Sequence, residues 1–290
     1  MWTYQKERFP LFSHGILIAS FTFSAMAFSN ICRNANGFEW YGFLKAFVNT
    51  FTIFALLRIS DEFKDQEYDK INRPYLPVPR GLIQLKELKV IGISLLLALF
   101  VFNIFFAYAQ FLLFAAVLGY LFLMFNEFFT GHWLNERPLL YVISHMLIIP
   151  LVDTLASSFD WINDKADLIG LLIFFLVSFL NGCTLELGRK IKSEENEESN
   201  SYSKSLGFNK AIIIFQMVLA STFLTCLVAA AYAHLSIMHH LVFIVLYVFA
   251  AGFAVVYKRN RTLRNAKYFE MISGVWAILM YLNLGLGMFF

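Results

Sequence analysis

Charge is scarce in this chain. Of 290 residues, only 15% are charged while 59% are hydrophobic and 34 are phenylalanine, so no water-soluble surface can be assembled from it. Cysteine is scarcer still. Cys32, Cys183 and Cys226 are odd in number, widely spaced and set mostly among apolar residues, which excludes a disulfide framework or a zinc site and leaves them as packing residues. No small-residue cleavage site follows the first apolar segment, which is too long for the core of a signal peptide, so it is expected to remain as a span. The net charge of +3 carries no nucleic-acid signal, and anionic headgroups of membrane lipids are a sufficient partner for it.

What is abundant is apolar sequence in runs of bilayer length. A spanning helix needs ~20 such residues, and spans are expected at 11–31, 43–62, 88–108, 110–127, 139–157, 167–187, 209–232, 239–257 and 270–289. With a cytoplasmic N-terminus, this layout puts every one of the 23 Lys and Arg residues on the cytoplasmic side except Arg33, Lys45 and Lys165, as the positive-inside rule requires. Omitting any one helix would scramble that asymmetry. The expected fold is therefore an all-α integral membrane protein. About nine transmembrane helices form one domain around a central cavity open to the cytoplasmic side, with the C-terminus on the opposite side. The inner loops 61–87 and 186–208 stand out by length and charge and are expected to carry the chemistry.

The first loop begins with Asp61, Asp65 and Asp69 at four-residue spacing. Four helical residues advance about 400° and ~6 Å, so the three carboxylates are expected on one slowly drifting face. Like charges at this spacing destabilise a helix by roughly 0.2–0.5 kcal/mol per pair, and a divalent cation would offset that. Magnesium suits such a site best, because it accepts one or two carboxylates plus substrate phosphates and keeps several of its waters. The alternative is a solvated helix end whose charges pair with Lys64, Lys70 and Arg73. The loop continues through Pro74, Pro77, Pro79, Arg80 and Gly81. Its prolines stiffen the backbone and glycine permits the turn, so it reads as a rigid basic lid or as an ordinary stiff connector.

Glu186 stands where helix six meets the same side, at a depth similar to Asp61, and is expected to form the facing wall. Arg189, Lys190 and Lys192 follow it as donors for phosphate oxygens, arginine in bidentate contacts and lysine as a point charge. Glu194, Glu195, Glu197 and Glu198 read as a solvated acidic run.

These residues resemble the UbiA-like intramembrane prenyltransferases over nearly the whole chain. That family has nine transmembrane helices, an Asn-x-x-x-Asp-x-x-x-Asp motif after helix two and an Asp-x-x-x-Asp motif after helix six. Asp61, Asp65 and Asp69 match the first, with Asp61 at the asparagine position, and the following Pro-Val-Pro-Arg-Gly segment agrees too. The second motif departs. Glu186 takes the place of its first aspartate, but Lys190 takes that of its second, a cation where a metal ligand is expected. The resemblance further implies a Tyr-x-x-x-Lys pair on helix five that holds diphosphate. Here Tyr141 and His145 stand near it, and charge at a histidine would depend on pH. A packed, hydrogen-bonded core histidine is the alternative.

The resemblance implies a magnesium-dependent prenyltransferase that ionises an allylic isoprenyl diphosphate and transfers the prenyl group to a lipophilic acceptor. The expected catalytic groups are Asp65, Asp69, Glu186 and Lys190, and the expected metal ligands are Asp61, Asp65, Asp69 and Glu186. Arg73, Arg80, Tyr141, His145, Arg189, Lys190 and Lys192 are expected to bind diphosphate. A terpene cyclase on the same scaffold, needing no acceptor, is the alternative activity. A transporter would call for inverted repeats or helices broken at the midplane, and none is evident.

Overall fold

The computed structural model describes residues 2–35, 37–193 and 201–289; the acidic run 194–198 lies outside them. Among the described residues there is no strand, and nine helices are long and apolar enough to cross a membrane. The chain opens with a short helix, α1 (Trp2–Arg8), before the first span, α2 (Leu11–Cys32). Then come α3 (Trp40–Lys64), the short α4 (Gln66–Asn72), α5 (Leu85–Phe106) and α6 (Phe111–Phe125). After α7 (Gly131–Asn135), the fifth span is two helices, α8 (Pro138–Met146) and α9 (Ile148–Trp161). The rest is α10 (Leu168–Lys190), the short α11 (Tyr202–Leu206), α12 (Phe208–Tyr232), α13 (Ile237–Arg259) and α14 (Leu263–Leu286).

Helix α2 is the most enclosed span, packed against α3, α9, α10 and α14, whereas α5 and α6 are the least enclosed. Exposure follows from this. Val90, Leu97, Val101 and Phe105 of α5, and Val245, Val248 and Phe249 of α13, present large apolar side chains outward, as a helix must where the bilayer is the solvent. Short polar side chains tie the interior together: Thr22 to Thr50 (2.8 Å), Asn103 to Asn49 (2.7 Å) and Thr184 to Thr222 (3.0 Å). Each such interhelical bond contributes about 0.6 kcal/mol. At the end of the bundle away from the first and second loops, Ser29, Asn30 and Arg33 all donate to Asp160, joining the last turns of α2 and α9.

Two backbone features depart from the sequence reading. The fifth span is not continuous, for α8 stops at Met146 and α9 resumes at Ile148. Pro150 has no N–H for the carbonyl four residues earlier, and that carbonyl belongs to Met146. Helix α3 likewise ends at Lys64, with Asp65 (φ −87°, ψ 4°) as the hinge into α4. The three aspartates therefore do not share one unbroken helix.

Candidate active site

A cavity of about 910 Å³ lies at the end of the bundle where α3 and α10 finish, within the range of small-molecule sites. Its deeper wall is apolar, from Phe54, Leu57, Met146, Ile148 and Ile149, and its mouth is a collar of charges. Asp61 and Asp65 reach the collar from the first loop; Glu186, Arg189, Lys190 and Lys192 reach it from the second. The two loops singled out in the sequence thus meet in one space.

Asp69 does not line this cavity. Its carboxylate is buried and held by Arg73 Nη1 at 3.2 Å, with Arg8 Nη2 at 3.8 Å. Burial pushes the Asp69 carboxyl above the ordinary carboxylate range, with Arg73 pulling the other way. Arg80 also points elsewhere, pairing with Glu7 of α1 at 2.8 Å and with the Tyr75 carbonyl at 3.1 Å. Val78 packs beside Tyr4, Ile83 and Leu88, so the proline segment is fastened to α1. Tyr75 and Leu76 of that segment do face the cavity.

On the facing wall, buried Glu186 accepts from Arg189 Nη2 at 2.7 Å and pairs with Lys190 Nζ at 2.8 Å. Lys192 pairs with Glu270 at 3.2 Å. Tyr202 of α11 is buried against the cavity, its hydroxyl without a hydrogen-bond partner, and burial pushes that hydroxyl's pKa up. Tyr141 and His145 stack at 3.9 Å between ring centroids, and both line the cavity.

Several collar residues were not singled out in the sequence. Arg8 and Arg58 both donate to buried Glu62, a hub joining α1 to α3 across 54 residues of sequence. Lys64 pairs with Glu127 at 3.2 Å rather than with an aspartate. Lys64 and Glu62 were visible as flanks of the acidic motif, but nothing in the local pattern of Arg8, Glu127 or Glu270 places them at a common site.

Among the described residues no three His, Cys, Asp or Glu side chains are grouped to hold a metal ion. Asp69 and Glu186 are engaged by arginine and lysine, which leaves Asp61, half-exposed with Arg58 at 3.6 Å, and Asp65. Two carboxylates beside an open cavity suit one magnesium that keeps waters and takes further oxygen ligands; a second ion against Glu186 would have to displace two cations.

The fold has relatives of known structure. An apo UbiA homologue from Aeropyrum pernix K1 matches with a TM-score of 0.66 at 13% identity, covering 95% of this chain and 97% of that one. A digeranylgeranylglyceryl phosphate synthase studied in membranes matches with a TM-score of 0.63 at 15% identity, covering 96% and 98%. No curated protein sequence matches the chain. The model of the UbiA prenyltransferase family matches residues 16–282; with nine apolar spans among the described residues and two charged loops converging on one cavity, the chain is a multi-pass membrane protein that belongs to this family.

Proposed function

We propose that the protein is a magnesium-dependent intramembrane prenyltransferase that ionises an allylic isoprenyl diphosphate and passes the prenyl group to a lipophilic acceptor. The observation that carries this reading is the division of the cavity into an apolar wall and a mouth where carboxylates face guanidinium and ammonium groups. A prenyl diphosphate has the same division.

The diphosphate would sit in the collar, with Asp61 and Asp65 holding magnesium and Arg189, Lys190 and Lys192 meeting phosphate oxygens. Magnesium would supply neutralising charge to the leaving group. Arg189 and Lys190 share Glu186, which fixes both ahead of the reaction, so they stabilise developing charge without reorganising. As the carbon–oxygen bond breaks, its electron pair leaves with the diphosphate and an allylic cation remains. Phe54 and the aliphatic wall exclude water from that cation. The acceptor then forms the new bond and loses a proton. Positive-inside asymmetry supports a cytoplasmic collar and N-terminus, with the C-terminus on the opposite side.

Purified protein given prenyl diphosphates, an extract of membrane lipids and magnesium is expected to release pyrophosphate and yield a prenylated lipid by mass spectrometry. The Asp65→Ala protein is expected to yield none. Full turnover in excess chelator would remove the metal from this reading, and a hydrocarbon formed without acceptor would replace transfer by cyclisation.

A further inference from the structure

The cavity wall formed by α3 and α8 holds a cluster that neither loop motif accounts for. Lys64 Nζ lies 2.8 Å from Tyr141 Oη, 3.1 Å from His145 Nε2 and 3.2 Å from Glu127 Oε1. An ammonium has three donors and no acceptor, and here three acceptors hold them. This fixes the protonation of the neighbours. His145 Nε2 must accept, so the ring is neutral and its Nδ1–H donates to the Tyr141 carbonyl at 3.0 Å. Tyr141 Oη also accepts from Lys64, which leaves its own O–H to donate into the cavity. His145 is therefore a spacer, and the positive charge on this wall belongs to Lys64.

Glu127 is the one anion among the three acceptors, and the backbone that aims it is unusual. Glu127, Phe128 and Phe129 have φ of 47°, 53° and 57°, three successive non-glycine residues in the left-handed region. Such conformations persist only where surroundings impose them, and they cluster at ligand and active sites. Phe128 sets its ring edge-on to His145 at 5.7 Å between centroids. Gly131 makes room for the Glu127 carboxylate, which a Cβ there would strike.

We infer that Lys64 is a diphosphate-binding residue. It gives up the Glu127 carboxylate for a phosphate oxygen, and the Tyr141 hydroxyl donates to the same group. Lys190 Nζ lies 5.7 Å from the centroid of the Tyr141 ring and Lys64 Nζ lies 5.1 Å from it, so two ammonium groups lie near the phenol. The inference rests on the reading of the cavity as a diphosphate site.

The test is titration calorimetry of the purified protein with inorganic pyrophosphate at fixed magnesium. Hydrogen bonds to charged groups contribute ~1.5–3 kcal/mol, so Lys64→Ala is expected to weaken binding about tenfold or more. Because His145 Nε2 is within hydrogen-bond distance of Lys64 Nζ, a lysine at 145 can put its ammonium in the same place. The double variant Lys64→Ala/His145→Lys should then recover most of the loss, whereas loss of packing alone would not be restored. Glu127→Gln is expected to bind as tightly as the native protein or more tightly, since it frees Lys64. Native affinity in Lys64→Ala, failure of the double variant to recover, or weaker binding in Glu127→Gln would each overturn the inference. If the native protein binds no pyrophosphate at all, the diphosphate reading of the cavity falls instead.

Discussion

Asp65 and Asp69 sit four residues apart in the same motif, yet one faces the cavity and the other is buried under the arginines of α1 and the first loop. Their amide replacements should therefore fail differently. Asp65→Asn is expected to abolish turnover with thermal unfolding unchanged, because the side chain contributes charge to the cavity and little packing. Asp69→Asn should lower stability, since breaking a buried pair by removing one partner costs about 3–5 kcal/mol. Arg73, at 17% exposed against 3% for Asp69, puts this pair toward the lower figure. Unfolding in detergent and protease cleavage of the 73–80 segment would separate the two, and a stable but inactive Asp69→Asn would return Asp69 to the metal. The sequence made the carboxylates legible because their spacing is local. It could not show that Arg8 reaches Glu62 and Asp69, because that contact depends on a seven-residue helix folding back across the end of α3.

At the scale of elements, the spans were legible because apolar runs near 20 residues have few other uses, while the short helices α1, α4, α7 and α11 leave no hydropathy signal. Helix α14 begins at Leu263, before the apolar run at 270, because Thr262 accepts the Asn265 N–H at 3.3 Å and caps a charged first turn. The break in the fifth span was carried by Pro150 alone. Gly188 carries no local signal of its role, yet it sets the approach of α10 to α14 beside Glu186. A Cβ there would strike Ser273 and stand 3.4 Å from the Phe215 ring, both on packed helices. Overpacking costs typically ~1–3 kcal/mol, so Gly188→Ala should lower thermal stability in detergent and reduce turnover by displacing Arg189 and Lys190. Gly252→Ala on α13, where nothing lies within 4 Å, should be neutral or slightly stabilising, since alanine is the better helix former. Equal stability for the two variants would mean that α10 and α14 have slack the packing does not suggest.

The whole molecule has one polar end that works as a site and one that works as a fastening. Arg8, Lys64, Arg189, Lys190 and Lys192 gather at the cavity mouth, while Arg33 is spent on Asp160 and Asp164 at the other end. That asymmetry predicts orientation, because juxtamembrane Lys and Arg are retained on the cytoplasmic side. In closed cells or right-side-out vesicles, single-cysteine variants Lys70→Cys and Arg264→Cys should be protected from an impermeant thiol reagent until the membrane is opened. Asp164→Cys and His234→Cys, at the far end of the bundle, should react at once. The reverse pattern would put the charged collar outside the cell and require its substrate there. A mixed pattern within either pair would contradict the bundle itself, since six spans separate residues 70 and 264 and only an odd number of crossings would put them on opposite sides. Agreement would give the two halves of the substrate distinct approaches, the charged head from the aqueous face and the prenyl tail from within the bilayer. The apolar wall of Phe54, Leu57 and Ile149 behind the collar would receive that tail.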